Sequence, residues 1–103
     1  MSAFVYILRC ADGSFYVGLT QHDPIKRQSE HNLGLDPTAW TYRRRPVNVV
    51  WSEHFERIVD AIETERRIKG WRREKKEALI AGRYELLPML ASRANRSKPT
   101  PSS

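Results

Sequence analysis

Residues 4–20, FVYILRCADGSFYVGLT, place two short apolar runs on either side of an Asp-Gly turn signal. β-Branched and aromatic residues fill both runs, and Asp12-Gly13 supplies the turn chemistry, so the stretch reads as a β-hairpin. Two registers are open. A two-residue turn at Asp12-Gly13 pairs Cys10 with Phe15 and sends Tyr6 and Tyr16 to opposite faces. A three-residue loop, a type I turn with Gly13 left-handed in a bulge, pairs Cys10 with Ser14 and Tyr6 with Gly18. In that second register Tyr6, Leu8, Tyr16 and Gly18 share one face, with Ile7 and Val17 on the other. This is the register expected. A single strand tyrosine needs no explanation beyond packing; two on one face beside a glycine suggest a site.

The remaining elements follow in order. Asp23-Pro24 opens a helix, with Asp23 as N-cap and Pro24 in the first position, running to about Asn32 or Gly34. Arg27 and His31, four apart, project from one of its faces, while Gln28 and Glu30 point elsewhere. A loop leads to Trp40-Thr41-Tyr42 and to Arg43-Arg44-Arg45, an exposed connection because adjacent arginines repel and demand water or counter-charge. Residues 47–55 read as a third strand pairing with the hairpin. A second helix covers 57–69, its stripe of Ile58, Ala61, Ile62 and Ile68 facing the sheet. A third, very basic helix covers 71–81, and residues 84–90 supply a last turn or short helix. The fold class is therefore α+β: a three-stranded, mostly antiparallel sheet flanked by helices, in the order β-β-α-β-α-α. The domain is expected over 1–90, with 91–103 as a disordered basic tail.

The chain of 103 residues suits one domain with a modest core. Lys and Arg number 18 against 12 acidic residues, a net charge of +6, and the pI is about 9.9. Such an excess favours a polyanionic partner, nucleic acid ahead of an anionic membrane. No run has the length of a membrane span and no signal pattern opens the chain, which leaves the cytoplasm by default. One cysteine, Cys10, excludes an internal disulfide and a cysteine-rich zinc site. His22 and His54 have no metal-ligand spacing.

Glu65 is the residue that resists a bland reading. At about 100° per residue it falls in the middle of the apolar stripe of the second helix. A carboxylate there bears a desolvation cost unless it is paired, protonated or bound to a metal. The structural alternative is an ion pair at the edge of the core with Arg27, Arg9 or Lys69.

Together, Phe4-Val5-Tyr6, Tyr16-Val17-Gly18, Arg27 with His31, and Ala61-Ile62-Glu63-Thr64-Glu65-Arg66-Arg67-Ile68-Lys69 resemble the GIY-YIG nuclease superfamily. The match continues through Trp71-Arg72-Arg73 and Lys75-Lys76 to Leu79-Ile80, and is similar to the compact, stand-alone bacterial branch. Two departures stand out. Phe4 replaces the glycine of the first motif, and no asparagine follows Glu65 before the tail.

The resemblance implies a small metal-dependent endonuclease that hydrolyses phosphodiester bonds in DNA, with repair or recombination as its setting. It implies Tyr6, Tyr16, Arg27, His31 and Glu65 as catalytic residues. Tyr6 would orient or deprotonate the attacking water, with its pKa lowered by Arg27 or a metal. Tyr16 would hold the phosphate or water, and His31 would accept a proton. Arg27 offers a permanently charged fork for two phosphate oxygens. Glu65 would hold one divalent cation, Mg²⁺ or Mn²⁺, which keeps most of its waters. Gly18 would let the backbone approach closely. Arg43, Arg44, Arg45, Lys69, Arg72, Arg73 and Lys76 would form the track for the nucleic acid, DNA ahead of RNA. Arg66, Lys69, Arg73 and Lys76 would line one face if the helix were continuous across Gly70. Trp40 or Tyr42 is placed to stack on an unpaired base. With no recognition helix or zinc module attached, cutting is expected to be structure-selective or single-strand-directed. A non-catalytic nucleic-acid-binding module on the same scaffold is the alternative reading, and a structural role beside a larger protein partner is a third. A monomer or weak dimer fits a chain of this size.

Overall fold

Both strands of the hairpin form where the apolar runs lie, as β1 (Ala3–Cys10) and β2 (Phe15–Thr20). They pair antiparallel with Tyr6 opposite Gly18, Ile7 opposite Val17 and Leu8 opposite Tyr16. The Cys10 N–H donates to the Ser14 carbonyl at 2.8 Å, and the Gly13 N–H to the Cys10 carbonyl at 2.9 Å. Gly13 sits at φ 85°, a left-handed conformation that glycine adopts without a Cβ clash. The three-residue loop is thus the one formed, and it fixes which residues share a face.

The protein is described here from a computed structural model over residues 1–83. Its third strand, β3 (Val47–Phe55), pairs antiparallel with β1, giving the sheet order β2-β1-β3 in an α+β fold. The register shifts where Ile7 faces Trp51 and Leu8 faces Val49, so Val50 is left over as a bulge. Helix α1 (Pro24–Leu33) begins at the Asp23 cap, whose carboxylate accepts from the Ile25 N–H at 2.9 Å, and ends at Gly34, φ 67°. Side chains of α1 close the outer edge of β3. Gln28 Oε1 accepts from the Val49 N–H at 2.7 Å, and Asn32 pairs with both the N–H and the carbonyl of Val47. An open strand edge is thereby satisfied.

Alternation along β1 sends its residues to two cores. Tyr6, Leu8 and Cys10 cluster with Val47, Tyr16 and Val49, on the side reached by Arg27 of α1. Val5 and Ile7 are fully buried on the other side, where helix α2 (Ile58–Lys69) packs across the three strands. The buried line of α2 is Ala61 and Ile68, with Thr64 half-buried, whereas Ile62 is 37% exposed. The expected stripe is therefore corrected. At 100° per residue Ile62 stands roughly 110° from the Ala61–Ile68 line, beyond the contact arc.

The chain divides into two compact units, Met1–Lys69 and a second beginning at Gly70. In the second, Arg72 is the N-cap of α3 (Arg73–Ile80), which buries Ala78 and Leu79. Lys75 Nζ lies 4.0 Å from the centroid of the Trp71 ring, a cation–π contact. Helix α2 ends at Lys69 and α3 begins at Arg73. The continuous helix that would align Arg66, Lys69, Arg73 and Lys76 is not formed, because Gly70 and the extended backbone of Arg72 interrupt it. Expectations for 84–90 and for the tail 91–103 fall outside the described residues. Among the described residues no helix is long and apolar enough to cross a membrane.

Candidate active site

Tyr6 lies at the centre of β1 with 1% of its surface exposed. Its ring crosses Gly18 on the neighbouring strand. A Cβ built at Gly18 would meet the Tyr6 ring end and hydroxyl at 2.5 Å, and the Tyr16 ring at 3.0 Å. The space at Gly18 thus holds a tyrosine hydroxyl of the protein itself. The Arg27 guanidinium, delivered by α1, donates toward that hydroxyl. Burial nevertheless dominates and pushes the Tyr6 phenol above its ordinary pKa, with the Arg27 hydrogen bond opposing it. Tyr6 is therefore a protonated phenol at neutral pH, suited to hydrogen bonding and not to acting as a base.

Arg27 also forms an ion pair with Glu30 at 2.6 Å, between side chains about a third exposed. The expectation that Glu30 points away is corrected. Three residues on, it stands only about 60° around the helix from Arg27. The pair leaves the guanidinium forked between a carboxylate and a phenol.

One turn further along α1, His31 packs edge-on against Tyr16, ring centroids 5.4 Å apart. Its Nδ1 lies 2.6 Å from the hydroxyl of Thr41, a residue 1% exposed. Its Nε2 is buried and has no hydrogen-bond partner. Such an orphan atom costs about 1–3 kcal/mol, which marks it as a group held ready for a partner. Burial, then the positive charge of Arg27, lowers the His31 pKa, with Glu30 acting in the opposite direction. The imidazole is thus neutral near pH 7, the state of a proton acceptor.

The segment carrying Thr41 is fastened to the hairpin. Trp40, 45% exposed, stacks on Tyr16 with ring centroids 6.1 Å apart. Arg44 lies 3.9 Å over the Trp40 ring, pairs with Asp12 at 3.4 Å and donates to the Trp40 carbonyl. Its own carbonyl accepts from the Ala11 N–H. Arg45 lies over Tyr42 and donates to the carbonyls of Tyr42 and Asn32. The exposed arginine run is accordingly corrected. Residues 42–44 form a 3₁₀ turn in which only Arg43 is exposed. Arg44 and Arg45 found rings, carbonyls and a carboxylate instead of water. A cleft of about 280 Å³ opens beside Arg27, Glu30 and His31, walled by Leu35, Thr41 and Tyr42.

The structure thus brings Tyr6, Tyr16, Gly18, Arg27 and His31 together. Glu65 is arranged differently. It is 16% exposed and pairs with Lys69 at 2.8 Å. Among the described residues it shares no hydrogen bond or ion pair with Tyr6, Tyr16, Arg27 or His31. No described group of three or more His, Cys, Asp or Glu side chains could hold a metal ion. What α2 presents is one sequestered carboxylate already holding a cation, the Lys69 ammonium. That donor set fits a hydrated Mg²⁺, which takes one or two carboxylates, provided Lys69 moves aside. Of the other proposed track residues, Arg72 is exposed, Arg73 pairs with Glu77 at 2.9 Å, and burial lowers the Lys76 pKa.

Two site residues escape a reading of the sequence. The i, i+3 spacing to Arg27 was the available signal for Glu30. Nothing local signals Thr41, which reaches His31 only through the folded loop.

Comparison with known proteins gives this cluster its context. The family model described as the GIY-YIG catalytic domain matches residues 2–78. A UPF0213 protein of Listeria monocytogenes serotype 4b is 40% identical over 82 residues, covering 80% of this chain and 90% of its own length. A UPF0213 protein of Staphylococcus aureus strain Mu3 is 42% identical over 82 residues, covering 80% and 98%. Among solved structures, the UPF0213 protein BH0048 from Bacillus halodurans is 36% identical with a TM-score of 0.52, covering 79% of this chain and 84% of that one. The protein EF2693 from E. faecalis is 35% identical with a TM-score of 0.56, covering 82% and 88%. With the two tyrosines, Gly18, Arg27 and His31 gathered on one face of the sheet and the family model spanning them all, the chain belongs to the GIY-YIG family.

Proposed function

We propose that this protein is a metal-assisted endonuclease hydrolysing phosphodiester bonds in DNA, acting on single-stranded or branched substrates in repair or recombination. The observation that carries this reading is the Arg27 guanidinium set against the buried Tyr6 hydroxyl beside a neutral His31. Arg27 neutralises the scissile phosphate by exchanging Glu30 for two phosphate oxygens. The Tyr6 hydroxyl, protonated, orients the attacking water or a phosphate oxygen. Tyr16 holds the phosphate from the neighbouring strand. His31 takes the proton released as the water oxygen bonds to phosphorus and the leaving P–O bond breaks; the departing alkoxide is protonated from solvent. Glu65 would hold the divalent cation, which when bound acts as a Lewis acid toward the phosphate. Arg43, exposed on its 3₁₀ turn, is suited to a backbone contact.

The test is incubation of the pure protein with labelled single-stranded, duplex and branched DNA in Mg²⁺ and in Mn²⁺. Cleavage that disappears in Glu65→Ala and Arg27→Ala, with DNA still bound by Glu65→Ala, supports the enzyme. Binding without cleavage in either metal would replace it with a nucleic-acid-binding module.

A further inference from the structure

We propose that Thr41 is a positioning residue that holds His31 by its Nδ1, so that the buried, unpartnered Nε2 is the proton-accepting atom. The assignment deepens the nuclease reading and rests on it for the purpose of the proton, though not for the geometry. Three observations converge. The Nδ1–Oγ contact of 2.6 Å is a full hydrogen bond, and Thr41 is 1% exposed, so no water competes for its hydroxyl. Nε2 is sequestered and has no partner within the protein. The loop carrying Thr41 is itself pinned, by the Trp40 stack on Tyr16 and by Arg44 on Asp12. The hydroxyl is therefore presented from a fixed point.

A neutral imidazole has one N–H and one lone pair, and the hydrogen bond at one nitrogen selects the tautomer at the other. A base working through Nε2 needs its lone pair there. The proton then resides on Nδ1 and is donated to the Thr41 oxygen. A carboxylate or carbonyl in that place could only accept, whereas a hydroxyl can also donate; the choice therefore falls to Nε2, where a buried N–H without an acceptor is costlier than an unshared lone pair. The charged and titratable groups around the ring are Arg27 and Glu30 on α1 and Tyr16 on β2. None of these engages either ring nitrogen in the free protein, so among the described residues Thr41 is the partner that anchors the ring at Nδ1.

Nitrogen NMR of the His31 ring in the free protein reads this without any DNA. The expected result is a single neutral tautomer, protonated at Nδ1, in the wild type and in Thr41→Ser. In Thr41→Val, which keeps the shape and removes the hydroxyl, the two tautomers should mix. Cleavage should fall about tenfold or more in Thr41→Val with KM for DNA unchanged, and Thr41→Ser should restore it. Protonation at Nε2 in the wild type would overturn the assignment, as would an unchanged tautomer in Thr41→Val. Should Thr41→Val fail to fold, the wild-type and Thr41→Ser spectra decide alone. If the expected tautomers are seen but no DNA is cut, the nuclease reading fails and the Thr41 assignment stands.

Discussion

Tyr6 and Ile7 are neighbours in the chain and equally hidden, at 1% and 0% exposure, yet they belong to two unlike cores. Ile7 faces the side where α2 packs, with apolar Val5 and Val17 beside it. Tyr6 faces the side where α1 brings Arg27, Glu30 and His31. The first core is held by burial alone, at about 25 cal/mol per Å² of apolar surface. The second contains polar groups that must satisfy one another, and it leaves one of them, His31 Nε2, without a partner. One strand can thus carry a stabilising face and a reactive face, because its period of two keeps them apart.

Substitutions on the two faces should therefore separate activity from stability. Tyr6→Phe is expected to cost about 10²–10³-fold in DNA cleavage, the usual effect of removing one preorganised donor. Its denaturation midpoint should move little. Ile7→Ala should do the reverse, losing about 2–5 kcal/mol of stability through a cavity. The folded fraction should retain its rate. Equal losses of rate and stability from both variants, measured by cleavage assay and urea titration, would erase the distinction between the faces.

A smaller effect is expected where the two strands of the reactive face touch. Gly18→Ala would place a methyl group 2.5 Å from the Tyr6 ring end. The ring is rigid and buried, so it must shift or the strands must part, at about 1–3 kcal/mol. Because the displaced atom is the hydroxyl beside Arg27, cleavage should fall more than stability predicts. A variant with wild-type activity would show that the Tyr6 position is not critical.

The mildest test is pH. The Tyr6 phenol is raised in the folded state, so its contribution to stability is complete below the unfolded value of about 10. It is lost as pH rises through the folded value, because the unfolded chain gives up the proton first. Melting temperatures should fall more steeply above pH 10 for the wild type than for Tyr6→Phe. Parallel curves would show that Tyr6 is not responsible. On the apolar face, Ile7→Ala should leave the slope unchanged.

Much of the local structure was legible in the chain. Alternation in residues 4–20, the Gly13 turn, the Asp23-Pro24 start and the Gly34 stop all act locally, and each element formed at the expected place. The limits of such reading lay where partners are distant. Arg44 and Arg45 read as solvated cations because Asp12, Trp40 and Tyr42 reach them only in the fold. Glu65 is a different case: of the three cations the sequence offered it, the structure pairs it with Lys69, one turn along the same helix.

Residue periodicity and turn chemistry reduced the hairpin to two registers, and the expected one, with Tyr6, Tyr16 and Gly18 on one face, is the one formed. These are short-range constraints, written into neighbouring residues. Tertiary structure decided the protonation of that face: that burial keeps the Tyr6 proton despite Arg27, that Glu30 shares the guanidinium, and that Thr41 takes His31 by one nitrogen. The physical reason is that proton affinity depends on the solvent and charges surrounding a group, and those are set by segments far away along the chain.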